Sequence, residues 1–221
     1  MPVAKGNGNG LVRGLESILA HEGIAVSYER LMGLSGLAFI LQVDAEHRWE
    51  GTVDAGWWPL DPWGLQLRHE FLGRAVGREL REVGRLTGTV EEFVAMRDRL
   101  PEFYHRRVGP VFRQAIDGGH PVLWTGDFGV LITGYDGAVD VPPVWGRCAC
   151  SATETAARLR DWPLGALVVG GEVPPLDPAV ADAAALRYAV ALARDEAGPV
   201  APEWRNRRFT GQKAIAAWAA L

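Results

Sequence analysis

The chain has 221 residues, 48% of them hydrophobic and 23% charged, which lies inside the globular range and excludes wholesale disorder and fibrous repeats. Its formal charge of −4 argues against a general nucleic-acid binder, whose footprint is a strongly basic face. The two cysteines, Cys148 and Cys150, form no disulfide framework and suit a reducing, cytoplasmic setting.

Taken in chain order, the first half reads as mainly helical. Leu11, Leu15, Ile18 and Leu19 recur at helical spacing before a stop at Gly23, and Ser27 caps a short second helix carrying Leu31 and Met32. Leu37–Val43 reads as a buried strand or extended segment. Trp57, Trp58 and Trp63 share a loop with Pro59 and Pro62, whose rings forbid regular structure. A long helical pattern runs through Leu67, Phe71, Leu72, Val76 and Leu80. Thr89 with Glu92 signs a capping box, and Phe103–Ile116 reads as one more helix.

From about residue 120 the pattern changes. His120–Trp124 and Gly129–Thr133 are apolar runs joined by Thr125–Phe128, a hairpin signature, with a third run near Val139–Val141. Ser151 with Glu154 opens an expected helix to about Asp161, and Leu164–Val169 returns as a strand. The last 45 residues read as helical. The expectation is one α+β domain over 1–221: a helical part over 1–118, a sheet part over 119–175 and a helical tail over 176–221. No apolar run approaches the ~20 residues that span a bilayer, and Met1–Lys5 leads into a glycine–asparagine run, so neither a membrane span nor a signal peptide is expected.

Several motifs come close to chemistry and stop short. Gly8, Gly10 and Gly14 echo a dinucleotide fingerprint, but that motif needs a strand before it and a βαβ unit after it. His21-Glu22 and His69-Glu70 open like a zincin motif, yet neither has a second histidine four residues after the first. No cofactor and no metal is therefore expected. Cys148 and Cys150 are candidate reactive thiols, since Cys150 precedes a proposed helix cap where the dipole favours thiolate. Their one-residue gap is shorter than that of redox or zinc pairs, and a structural role stays open. His120 can line a cleft or pack through a hydrogen bond. Trp57 and Trp58 can wall an apolar pocket or cover the core.

The run Leu15–Leu19, then Gly23, Ser27-Tyr28 and Leu31–Phe39, resembles the N-terminal region of butirosin-biosynthesis-H-like proteins. These are papain-like cysteine enzymes related to the double-glycine bacteriocin-processing peptidases. Gly119–Val122 is similar to that family's strand entry, Val130–Asp136 to its "V-V-V-x-G-Y-D" strand, Ser151–Glu154 ahead of Trp162 to the following helix, and Thr210–Trp218 to its closing helix. The resemblance implies two lobes, one helical and one an antiparallel sheet, with a cleft between them. It also implies a cysteine at the head of the first long helix, a histidine at the start of the glycine–tyrosine–aspartate strand, and an orienting acid beyond it. Those positions fall near Gly10, Phe128 and Val141, with Asn9, Asp127 and Asp140 beside them. None is the required residue.

The resulting expectation is a catalytically silent papain-like domain that binds a small-molecule or peptide-like ligand in the cleft. Asn9, Gly10, Trp57, Trp58, His120 and Asp127 are the candidate ligand contacts. A homodimer is a further expected partner; nucleic acid and membrane are not. Two other readings stay open. One is an acyl or aminoacyl transferase or amide hydrolase using Cys148 or Cys150; the other is an interaction module using the tryptophan loop.

Overall fold

A strand buried on both faces shows no polar alternation, and Val122–Trp124, Val130–Ile132 and Ala166–Val169 are of this kind. In the computed structural model they form the centre of an antiparallel sheet. The structure describes residues 9–39, 42–44, 49–51, 69–83, 99–124, 130–136, 144–148, 157–158, 166–194 and 208–210, with single helical positions at Gln212, Ile215, Ala216 and Ala219.

The first elements are α1 (Gly10–His21), α2 (Tyr28–Ser35), a 3-10 turn (Leu37–Phe39), β1 (Gln42–Asp44), β2 (Trp49–Gly51), α3 (His69–Val76) and β3 (Arg78–Val83). A second helical stretch comprises α4 (Leu100–Phe103), a π turn (Tyr104–Val108) and α5 (Gly109–Asp117). Then come β4 (Val122–Trp124), β5 (Val130–Tyr135), β6 (Val144–Cys148), β7 (Ala157–Arg158), β8 (Ala166–Glu172), α6 (Pro178–Ala193) and β9 (Arg208–Thr210). The main sheet has the order β3-β8-β4-β5-β6-β7, and a smaller one has the order β2-β1-β9. Among the described residues every strand pair is antiparallel.

Alternate residues of the central strands serve two cores. Leu80, Leu123, Leu131, Leu167 and Val169 pack with α1, α2, α3 and α6. Val122, Trp124, Val130, Ile132, Ala166 and Val168 pack with Tyr104, Val108, Phe112 and Ala115 from the π turn and α5. The register makes this consistent: Leu123 lies opposite both Leu131 and Leu167, so three leucines form one row across three strands. Each such side chain contributes about 1.5–3 kcal/mol on full burial.

The Ser27 cap follows the expectation, while the caps of α1 and α6 are added by the structure. Asn9 caps α1, Ser27 caps α2 through Arg30 N–H at 3.2 Å, and Asp177 caps α6 ahead of Pro178. Leu11, Leu15, Ile18 and Leu19 are all buried. The mixed α+β composition and the β4–β5 hairpin follow the expectation.

Other expectations are corrected. The helix expected through Leu80 stops at Val76; Gly77, at φ 74, turns the chain, and Leu80 faces the core from β3 instead. β3 then joins the main sheet, so the first 118 residues are not simply a helical block. Leu37–Val43 is not one strand: a 3-10 turn covers Leu37–Phe39 before β1. Phe103–Ile116 is helical but widens into a π turn before Pro110, whose ring cannot accept a regular helical bond pattern. Ala157–Arg158, expected in a helix, pair with Trp145 and Gly146 as β7. The helical tail is interrupted by β9, which pairs with β1. The Thr89 capping box, the tryptophan loop, Val139–Val141 and Ser151–Glu154 lie outside the described residues.

Candidate functional site

The head of α1 is built from four side chains that return from two turns of chain. Asn9 Oδ1 accepts from Val12 N–H at 3.1 Å, and Asn9 N–H donates to the Tyr28 hydroxyl at 2.8 Å. The Arg13 guanidinium stacks over the Tyr28 ring, 3.7 Å from its centroid. Glu16 joins both: one carboxylate oxygen accepts from Arg13 at 2.9 Å and the other from Tyr28 N–H at 2.9 Å. Arg13 and Glu16 are mostly covered, with side chains 14% and 19% exposed. Arg13 Nε is buried without a hydrogen-bond partner among the described residues. The network fixes the start of α1 to the start of α2.

The direction of α1 is set by its contacts with β4. A Cβ on Gly14 would run into Leu123, while Glu22 Oε1 accepts from His120 Nδ1–H at 2.7 Å and Gly119 O accepts from His21 Nε2–H at 2.9 Å. Moving toward the N-terminus of α1 therefore moves toward the C-terminal end of β4: the two run antiparallel. The head of α1 lies at the end of the sheet where β4 finishes at Trp124 and β5 begins at Val130. Cys148 is the register partner of Val130, so β6 also ends there, as β8 begins there with Ala166 opposite Trp124.

The expected site residues divide accordingly. Asn9 and Gly10 stand together at the head of α1, Gly10 buried as its first residue. His120 stands at the other end of the helix, roughly 18 Å away for twelve residues. It is 48% exposed and engaged with Glu22, so it joins no cluster with Asn9. Cys148 closes β6. Trp57, Trp58, Asp127, Phe128, Val141 and Cys150 lie outside the described residues. Among the described residues no group of three or more His, Cys, Asp or Glu gathers as a metal would require.

Three features were not foreseen. The Arg13–Glu16 spacing is a legible i,i+3 pair, but nothing local announces that Tyr28 closes it. A groove of about 630 Å³ lies along the outer strand, between α3 and β3, lined by His69, Arg74, Glu79, Leu80, Arg81 and Pro174. Its signal is the alternation of charge along Arg78–Glu82. At the foot of the sheet, the Tyr135 hydroxyl donates to Asp117 at 2.8 Å, a bond that ties β5 to the end of α5 and raises the phenol's pKa.

No family model, no curated protein and no solved structure matches the chain.

Proposed function

We propose that this chain is a catalytically silent domain of the papain-like kind that holds a small-molecule or peptide-like ligand beside the head of α1. One observation carries the reading. The position where the resemblance calls for a reactive cysteine is Gly10, which has no side chain, and its neighbour Asn9 spends its side-chain oxygen on Val12 N–H. An asparagine committed to capping supplies neither thiolate nor base. What remains is recognition chemistry. The N–H groups of Gly10 and Leu11 take no hydrogen bond among the described residues, and the helix end carries partial positive charge. Such a set suits a carboxylate, the terminus of a peptide-like ligand. The antiparallel run of α1 along β4, which brings its head to the entry of β5, supports the same reading.

The test is an amide-resolved NMR titration with an N-acetylated dipeptide and with its C-terminal amide. Saturable shifts at Gly10 and Leu11 with the free carboxylate alone are expected. Silence at both amides, or equal shifts with the neutral amide, removes the reading.

A thiol-dependent enzyme is the second reading, favoured by the placement of Cys148 opposite Val130 at the same end of the sheet. Iodoacetamide alkylation across pH separates the two. A silent domain gives a profile rising through the ordinary thiol value of about 8.5. A rate already at its plateau near neutral pH transfers the function to the thiol.

A further inference from the structure

A helix that is apolar on every side requires cover on every side. α6 carries only Asp182 and Arg187 as charged residues among its 16. Its inner side has cover: Ala181, Ala185 and Leu192 are buried in the core, and Tyr188 and Leu192 lie against Gly36 at the end of α2. Its outer side carries Val180, Leu186 and Val190 at 53%, 62% and 48% exposure.

Leu186 and Val190 share one stripe with three alanines, and Val180 stands beside it at a flank. Ala179, Ala183, Leu186, Val190 and Ala193 follow one another by alternating steps of four and three, a single stripe along the helix. Written as heptads, Ala183 and Val190 take the a positions, and Ala179, Leu186 and Ala193 take the d positions. A β-branched residue at a with leucine at d is the preference of two parallel strands. The flanks agree. Asp182 occupies g and Arg187 occupies the following e, the five-residue offset at which parallel helices exchange ion pairs. An antiparallel pairing would instead set g flank beside g flank and e flank beside e flank, so Asp182 and Arg187 would not meet.

We propose that α6 is a self-association surface: two copies of this chain pair their α6 helices in parallel, closing the Leu186–Val190 stripe between them, with reciprocal Asp182–Arg187 ion pairs at the flanks. Two heptads are short for a free coiled coil. Here the helix is already held by its own core, so association does not bear the cost of folding it. Asp182 bonds Arg30 of its own chain at 3.0 Å through Oδ1, yet its side chain is 53% exposed. A carboxylate has capacity for a second arginine.

Sedimentation equilibrium of the full chain over a concentration series tests this. A reversible monomer–dimer equilibrium is expected. Leu186→Glu, on the exposed side, gives monomer at every concentration while the circular dichroism spectrum is kept, as is the melting temperature at concentrations where the wild type is monomeric. Arg187→Asp weakens the dimer by roughly tenfold at low salt. Adding Asp182→Arg to that variant restores the dimer. A wild-type chain that stays monomeric overturns the proposal, as does a dimer indifferent to Leu186→Glu. A double exchange no tighter than the single one overturns the parallel arrangement.

Discussion

Glu16 is the residue on which the head of α1 depends, because each of its carboxylate oxygens holds a different partner. Glu16→Ala leaves the mostly covered Arg13 guanidinium without its counter-charge and Tyr28 N–H without its acceptor. The loss of stability is about 2 kcal/mol or more, well above the median for an exposed ion pair. Tyr28→Phe keeps the ring under Arg13 and removes only the hydroxyl that accepts from Asn9 N–H, so it costs about 1 kcal/mol. Chemical denaturation of both variants checks the order; a larger loss for Tyr28→Phe would mean that the hydroxyl, not the carboxylate, organises the cluster. Tyr104 provides the pH-dependent counterpart. It is 2% exposed against Phe112, and burial pushes its phenol from 10.0 up to about 12. The folded chain then holds this proton where the unfolded chain has lost it. Its contribution is complete below pH 10 and is lost as pH rises through about 12. Denaturation midpoints measured upward from pH 9 should fall in the wild type and fall less steeply in Tyr104→Phe.

At the scale of elements, sequence and structure agree where the pattern is local and part where the partner is distant. The apolar stripe of α1 and the Ser27 cap of α2 are local facts, and so is the β4–β5 hairpin. The helix through Leu67–Leu80 is different. Phe71, Leu72, Val76 and Leu80 satisfy helical spacing, but the chain turns at Gly77 and Leu80 reaches the same core from a strand. Periodicity cannot tell a fourth helical turn from a strand that returns to the same face. Ala157–Arg158 likewise depend on Trp145 and Gly146 for their pairing. At Gly14, α1 meets Leu123 with no room for a Cβ. Gly14→Ala should cost about 1–3 kcal/mol by overpacking, despite the better helix propensity of alanine. Leu123→Ala alone opens a cavity at about 2–5 kcal/mol. The double variant should cost clearly less than the two together, because the new methyl occupies part of the space the leucine left. Strict additivity would place the two residues out of contact.

At the scale of the molecule, the sheet is shared. Leu123 and Leu131 belong to the core under α1, while their chain neighbours Val122 and Ile132 belong to the core under α5. The sequence marks Val130–Ile132 as buried but does not say that successive residues serve different layers. Equally, Asn9 and Gly10 are plain in the sequence, whereas the sheet end beside which they stand depends on the direction of α1 against β4. Because every central strand anchors both cores, neither can melt while leaving the other its partner surface. A single cooperative transition should therefore be seen by far-ultraviolet circular dichroism, which follows the helices, and by tryptophan fluorescence. Two variants sharpen this: Leu131→Ala strikes the α1 side and Phe112→Ala the α5 side, at about 2–5 and about 3–5 kcal/mol respectively. Each should lower one common melting temperature for both probes. If Phe112→Ala instead produced an early fluorescence transition with the dichroism unmoved, the layer under α5 would be an independent unit, and the shared sheet would not be what couples the two halves.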